Sequence, residues 1–275
     1  MIVVLFLIHP DIAKSMFLTF NCVEIDGVFR MKESVRSVCY KGEHMLFISV
    51  VAFPAIGLWV FGIPLFAFLV LYKNKRVLQL MMKPEITQQE KDEIVQLKMK
   101  YGFLFSGYDA RTYFWEVIIM YRKILIIATS VFLSTVSSES QVLVVIFIIV
   151  INMFLQIRFS PFYTSTLNKM ENYSLQVAAV TIYTGMYYVT GRHYTYMSNQ
   201  AVSWFFLGCI VLPNLVFIAY WLYHMRLEVL KELHKRQVAP CLFAAVAWTG
   251  RDAFYERYMR EEEEAMVKAQ QRIVE

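Results

Sequence analysis

The chain has 275 residues, of which 58% are hydrophobic and 18% are charged, and its mean hydropathy is +0.46. Soluble domains have about 45–50% apolar and about 25% charged residues, so this composition excludes an ordinary water-soluble protein and indicates that lipid surrounds much of the chain. The net charge of +5 comes from bases that cluster beside the apolar runs, which predicts contact with a bilayer rather than with nucleic acid.

The amino terminus begins with the apolar run MIVVLFLI and continues into a weaker apolar segment that contains Pro10. The run has no basic region before it and no small-residue cleavage site after it, so it lacks the pattern of a signal peptide. We expect a partial span over about residues 1–20, formed by a short helix that breaks at Pro10. The chain is then either a fragment of a longer protein or the partner of a chain that supplies the missing half.

Two cysteines, Cys22 and Cys39, lie in the segment that follows the partial span. The charge distribution described below places this segment outside the cell, where oxidising conditions favour disulfides, so we predict a bond between them. Two unpaired thiols are the alternative. Zinc is not predicted, because no CxxC motif and no paired histidines lie nearby.

Five apolar runs are long enough to be predicted as full membrane spans. They cover residues 46–72, 112–135, 141–157, 173–190 and 201–223. With the partial span, the sequence predicts an all-α, polytopic helical bundle over residues 1–225 and a cytoplasmic helical tail over residues 226–275.

Proline and glycine interrupt two of these runs. The interrupting residues are Pro54, Gly57, Gly62 and Pro64 in AFPAIGLWVFGIP, and Pro213 in VLPNLVF. Proline removes a helical hydrogen bond and kinks the chain, and broken membrane helices often line ion or substrate sites. A kink that only serves helix packing is the alternative, and we favour it. Asn214 is expected to bond to a neighbouring helix.

Orientation follows from the basic residues, which mark the cytoplasmic side. Lys and Arg are frequent in the loop 73–111 and in the tail after Tyr223, whereas loop 134–140 has none and loop 191–200 has only Arg192. We therefore place loop 73–111 and the carboxyl terminus in the cytoplasm and residues 21–44 outside, in a plasma or ciliary membrane. In the cytoplasmic loop, Thr87 and Glu90 have the spacing of a helix capping box.

Three ionisable residues, Glu116, Arg122 and Lys123, lie in or near the second full span. Glu116 and Lys123 are seven residues apart and therefore share a helix face, while Arg122 points elsewhere. Charge inside a bilayer costs about 2.5–3.5 kcal/mol per residue on the insertion scale, so such residues are paired, face water or reach back to the headgroups. Three alternatives stay open: snorkelling to the interface, an in-plane helix over 108–121, and electrostatic elements inside the bundle.

The stretch YGFLFSGYDARTYFWEVIIMYRKIL resembles a signature in the transmembrane module of large protist surface proteins, in which cysteine-rich or adhesive ectodomains precede the membrane region. It is more distantly similar to fungal transient-receptor-potential-like membrane proteins. The stretches HPDIAKSMFLTFNCVEIDG, AFPAIGLWVFGIPLFAFLVLYKNK and RFSPFYTSTLNKMENYSLQ resemble further parts of the same module, and the likeness covers about residues 8–225. The resemblance implies a channel-like bundle. GRHYTYMSNQ, between the last two spans, departs from it, because it is short and has no acidic residue for a selectivity ring.

Two functions are compatible with this sequence. The first is a channel-like or transport-associated membrane protein, and the alternative is a structural or anchoring membrane subunit of a larger assembly. The sequence contains no HExxH, Walker A or GxSxG motif, so it predicts no enzyme activity, cofactor or metal site. The expected partners are the lipid bilayer and other membrane subunits or further copies of the chain.

Overall fold

The computed structural model describes residues 2–81, 87–190, 200–235 and 260, and within them the chain is mostly helical. The helices are α1 Ile2–Leu18, α2 Gly42–Lys73, α3 Lys75–Leu80, α4 Gln88–Phe105, α5 Trp115–Phe132, α6 Ser138–Phe159, α7 Ser165–Thr190 and α8 Gln200–Lys235. Three strands, β1 Cys22–Ile25, β2 Val28–Met31 and β3 Ser34–Val38, lie between α1 and α2.

The first helix runs continuously through Pro10, so the predicted break at this residue is wrong. Proline removes only the hydrogen bond to the carbonyl four residues earlier, and packing compensates for that loss. Ala13 and Phe17 are buried against α2 and α5, and the ring of Phe6 packs against Phe103 of α4 at 5.1 Å between centroids. The predicted partial span over 1–20 therefore corresponds to one helix that packs along its length.

The segment after α1 is a three-stranded antiparallel sheet in the order β1-β2-β3, so the chain is mostly helical rather than all-α. Asp26 and Gly27 have positive φ angles of 51° and 75° and join β1 to β2 in the two-residue turn that suits a twisted hairpin. The predicted disulfide is confirmed, because Cys22 at the start of β1 is bonded to Cys39 directly after β3. The bond closes the sheet into a small covalent unit.

The interrupted second helix is continuous over Gly42–Lys73. It contains two π-helical stretches, Ile48–Ala52 and Ile56–Phe61, with Pro54 in the short α-helical turn between them. A π turn contains an extra residue and appears where the regular ladder of hydrogen bonds is disturbed, which agrees with the position of the prolines. The two π-helical stretches therefore lie at or next to Pro54, Gly57 and Gly62, three of the residues predicted to interrupt this helix.

Three helices in the described part of the chain are long and apolar enough to cross a membrane, namely Gly42–Lys73, Ser138–Phe159 and Gln200–Val229. Five full spans are therefore not supported by length and composition alone. The other two predicted spans correspond to α5, which carries three ionisable residues in 18, and α7, whose first turns are polar. Both are less apolar than a helix that faces lipid on all sides.

The charged helix α5 lies at the centre of the bundle, because it contacts α1, α2, α4 and α6. Val117 and Met120 are buried among residues of α2, α3 and α4. Ile124 and Val131 are buried against α1 and α2, and Ile126 packs on α6 and α7. Protein side chains rather than lipid therefore surround much of α5, which explains why this helix tolerates charge.

The last two described helices form an antiparallel hairpin. Tyr173 and Tyr220 are in ring contact at 5.7 Å, and the Asn214 amide donates to the hydroxyl of Thr181 at 2.8 Å. The expected bond from Asn214 to a neighbouring helix is thereby confirmed. The helix α8 continues through Pro213 to Lys235, so no helix end marks the predicted boundary between residues 225 and 226. The loop 191–199 and the tail after residue 235, apart from residue 260, lie outside the described residues.

Candidate functional site: the charged helix and its junction

The connection that precedes α5 is held against the link between α6 and α7. The N–H of Asp109 and the hydroxyl of Thr112 both donate to the carbonyl of Pro161 at 2.8 Å. In return, the N–H of Tyr163 donates to the carbonyl of Gly107 at 3.1 Å. Gly107 has a φ of +101°, a region that residues with a Cβ rarely adopt, so glycine is required here.

A partly buried amide network completes this junction. Asn168 donates to the Phe162 carbonyl at 2.7 Å, and its side-chain oxygen accepts from the Phe162 N–H at 3.1 Å and from the Gln156 amide at 3.2 Å. The rings of Phe162 and Tyr108 pack with 4.9 Å between centroids. The junction therefore joins two distant sequence stretches, SGYDART and RFSPFYTSTLN, through backbone groups that satisfy one another.

Glu116, in the first turn of α5, is paired with a residue of the same junction. The Tyr108 hydroxyl donates to its carboxylate at 2.7 Å. Burial raises the pKa of Tyr108, and the negative charge of Glu116 raises it further, so the phenol stays a donor at physiological pH. A charge-assisted hydrogen bond of this kind contributes about 1.5–3 kcal/mol when it is shielded from water.

Arg122 forms an ion pair with Glu171 of α7, with 2.7 Å between Nη2 and Oε1. The two side chains are only 14% and 20% exposed, so each charge depends on the other for most of its solvation. Glu171 is the only carboxylate between residues 159 and 190, and sequence reasoning did not select it. The signal was available in principle, because an arginine inside a predicted span requires an acidic partner.

Lys123 differs from the other two predicted charges. Its side chain is exposed on the bundle, and it makes no ion pair within the described ranges. Although Glu116 and Lys123 share a helix face, only Glu116 lies against the junction. The structure therefore separates the three charges into two that are engaged by neighbours and one that faces outward.

The proline and glycine residues that interrupt α2 lie near α1 and not near the junction. Pro64 has no N–H to bond to the carbonyl of Val60, and the buried ring of His9 lies beside this carbonyl. A Cβ on Gly62 would approach the carbonyl oxygen of Gly57 to 3.3 Å, so the π turn leaves little space there. The second π-helical stretch of α2 therefore lies in the contact between α1 and α2.

The chemistry available at the charged helix is electrostatic. Glu116, Arg122 and Glu171 all act on the Tyr108 hydroxyl, so the four groups form one cluster. No group of three or more His, Cys, Asp or Glu side chains that could hold a metal ion occurs among the residues that the structure describes. The cluster links α5 to α7 and to the junction that precedes α5.

Comparison with known proteins gives one partial similarity. No family model matches the chain, and no solved structure matches it. Among curated proteins, the cysteine repeat modular protein A of Toxoplasma gondii is 26% identical to this chain over 196 residues. The aligned region is 66% of this chain but 6% of that protein, so the chain spans only a small part of the length of the relative that it matches.

Proposed function

We propose that this chain is a membrane-anchoring module with five full spans and a shorter sixth helix, and that it serves as the membrane part of a larger surface protein or assembly. The observation that carries this proposal is the pairing inside the bundle. Arg122 is held by Glu171, and Glu116 is held by Tyr108. Charges that are engaged in this way fasten helices together and are not available to moving ions.

The exposed surfaces of the apolar helices support the membrane part of the proposal. Phe147 and Phe154 of α6 and Leu212 and Val216 of α8 are all between 63% and 68% exposed. Burial of such side chains in hydrocarbon is favourable by about 25 cal/mol per Å². A water-soluble protein rarely exposes a continuous apolar surface of this kind, so lipid is the solvent that matches it.

The hydrogen bonds that tie the loops together support five spans. The Asn21 amide donates to the hydroxyl of Ser134 at 3.3 Å, which brings the base of the sheet to the carboxyl end of α5. The junction of Asp109 and Pro161 lies at the amino end of the same helix. With 18 residues, α5 is about 27 Å long at 1.5 Å per residue, close to the hydrocarbon thickness of a bilayer. The sheet and the junction then lie on opposite sides.

We assign the sheet to the outer side and the carboxyl terminus to the cytoplasm. The disulfide between Cys22 and Cys39 is stable on an oxidising face, and the bases in loop 73–111 favour the cytoplasmic one. The similarity to a segment of a much longer cysteine repeat protein supports a role as one module of a larger protein. A plasma or ciliary membrane is the compartment that suits such a protein.

A channel-like or transport-associated function is the second candidate, and the π-helical turns of α2 are the observation that favours it, because such turns often lie at functional sites. Reconstitution of the purified chain in planar bilayers separates the two candidates. The anchor proposal predicts no conductance from the wild type. It is refuted by an ionic current whose amplitude changes in Glu116→Gln but not in the matched control Glu139→Gln.

A further inference from the structure

A cavity of about 860 Å³ lies where the disulfide-bonded sheet meets the ends of α1 and α2. Its wall is formed by Ser15 in the last turn of α1, by Thr19 directly after that helix, by residues of β3, and by Phe47 from the second turn of α2. Sites for small molecules typically have volumes of about 300–1,000 Å³, so this cavity is large enough for a polar ligand. Leu18 of its wall packs against the cluster that includes Val131 of the charged helix, but none of the lining residues belongs to that helix or to the junction, and the cavity has no role in the proposed anchoring.

Four charged side chains line the cavity, two of each sign: Glu33, Arg36, Lys41 and Glu43. All four are exposed, and none of them forms an ion pair or a side-chain hydrogen bond with another described residue. Two cations and two carboxylates without internal partners match a ligand that itself carries both charges. A ligand with only an anionic group would leave the two carboxylates unmatched.

His44 is the buried residue at the base of this cavity, and its ring is already occupied. Its Nδ1 accepts from the N–H of Tyr40 at 3.0 Å, so Nε2 carries the proton and donates to the Thr19 carbonyl at 3.1 Å. These bonds fix the end of α1 to the start of α2. Recognition of a ligand therefore falls to the four charged residues, while His44 keeps the wall in place.

The position of the cavity along α2 indicates which kind of ligand it binds. The lipid-facing surface of α2 begins directly after Glu43, because Met45 is 50% exposed, Leu46 is 67% exposed and Val50 is 63% exposed. Phe47 both lines the cavity and contributes to this apolar surface. The cavity thus lies at the level where hydrocarbon gives way to headgroups, with a polar wall on one side and an apolar path on the other.

We propose that this cavity binds the headgroup of a zwitterionic phospholipid. Arg36 and Lys41 bind the phosphodiester, Glu33 and Glu43 attract the positively charged ammonium group of the headgroup, and the acyl chains lie along the exposed side chains of α2 that follow. The inference requires that α2 crosses the membrane, but it holds for an anchor and for a channel alike. A free phosphate ester would pair only with the two cations of the cavity. A zwitterionic lipid headgroup also pairs with the two carboxylates, so the carboxylates favour the lipid as the ligand.

The test uses the full chain in nanodiscs that contain equal amounts of phosphatidylcholine and phosphatidylglycerol, followed by native mass spectrometry of the released protein. The wild type is expected to retain one phosphatidylcholine in preference to phosphatidylglycerol. The double variant Arg36→Gln/Lys41→Gln is expected to lose this retention by at least about tenfold, since each charge-assisted hydrogen bond contributes about a factor of ten. Glu33→Gln/Glu43→Gln is expected to shift the preference toward phosphatidylglycerol.

The matched control is Glu24→Gln/Lys32→Gln, which changes two exposed charges that do not line the cavity, one in β1 and one in the turn between β2 and β3. Its lipid retention should equal that of the wild type, and an intact disulfide in every variant shows that the sheet has formed. Equal retention in all variants overturns the proposal. The proposal is also overturned if inorganic phosphate displaces the lipid at the same concentration as glycerophosphocholine does. That result would identify a site for free phosphate.

Discussion

The ion pair between Arg122 and Glu171 should be a main contributor to the stability of the bundle, and Arg122→Ala tests this. Removal of one partner from a buried pair costs about 3–5 kcal/mol, whereas exposed pairs contribute about 0–1 kcal/mol. The side chains of Arg122 and Glu171 are 14% and 20% exposed. Because both side chains are partly exposed, the solvent screens their attraction. We therefore expect either single variant to lose about 2–3 kcal/mol in the free energy of unfolding.

A double-mutant cycle isolates the interaction itself. Arg122→Ala, Glu171→Ala and the double variant are unfolded in mixed micelles with increasing SDS, and the free energies of unfolding are compared. We expect a coupling energy of about 1–2 kcal/mol, because the double variant leaves no charge without its partner. Lys123→Ala is the control on the same helix, since its exposed side chain has no ion-pair partner in the described chain. Its effect should stay within about 0.5 kcal/mol.

The cycle also contains the result that would refute this reasoning. A coupling energy of zero, with both single variants as stable as Lys123→Ala, would show that the two charges do not interact in the membrane. α5 and α7 would then be held by apolar packing alone. A charge swap, Arg122→Glu with Glu171→Arg, should recover part of the stability that either single reversal loses, because the swap again places opposite charges at the two positions.

Four further predictions concern single side chains, each measured as a change in the free energy of unfolding. Gly107→Ala should cost about 1–2 kcal/mol through backbone strain alone, because its φ is +101° and a Cβ would meet no atom within 4 Å; an unchanged midpoint would contradict this. Cys22→Ser should lose about 3 kcal/mol, and a reducing agent should give the same loss in the wild type but none in the variant. Thr87→Ala should lose about 1 kcal/mol of cap stability, whereas Thr87→Ser should lose little. The raised pKa of Tyr108 means that the contribution of its phenol to stability is complete below about pH 10 and is lost as pH rises above it, so Tyr108→Phe should be less stable at pH 8 and should lose less stability between pH 8 and alkaline pH.

Local sequence signals predicted much of the helical architecture. Long apolar runs indicated the three helices that are long and apolar enough to cross a membrane. The predicted capping box of Thr87 and Glu90 is confirmed with both of its hydrogen bonds. The disulfide between Cys22 and Cys39 was also found from the sequence. These features depend on neighbouring residues or on composition, so no knowledge of the tertiary fold was needed.

The sheet was missed although its signal was local. Asp26 and Gly27 separate CVEI from VFRM, and an Asp-Gly pair between two apolar stretches is a strong hairpin signal. The strands have only four or five residues each, so their signal is much weaker than that of the long apolar run that follows them.

The candidate site could be predicted only in part. The sequence located Glu116, Arg122 and Lys123, but it could not show which charge had a partner, because Glu171 lies 49 residues after Arg122. It also could not show that α5 lies at the centre of the bundle, since this depends on contacts with four other helices. A single sequence does not show which distant residues contact each other, so neither the ion pair nor the central position of α5 could be predicted from it.

Water access to the interior side of α5 is the most direct test of the central claim that this helix is an internal scaffold of a membrane anchor. Val117→Cys and Val131→Cys are made in a background with Cys209→Ser and Cys241→Ser, because both valines are buried, at 7% and 3% exposure. A small water-soluble thiol reagent is applied to both sides of proteoliposomes, with Lys32→Cys in the exposed turn between β2 and β3 as the reactive control. The account predicts that both buried positions stay unmodified while Lys32→Cys reacts. Modification of either α5 position at the rate of the control would reveal a water-filled path along the charged helix and would contradict the account.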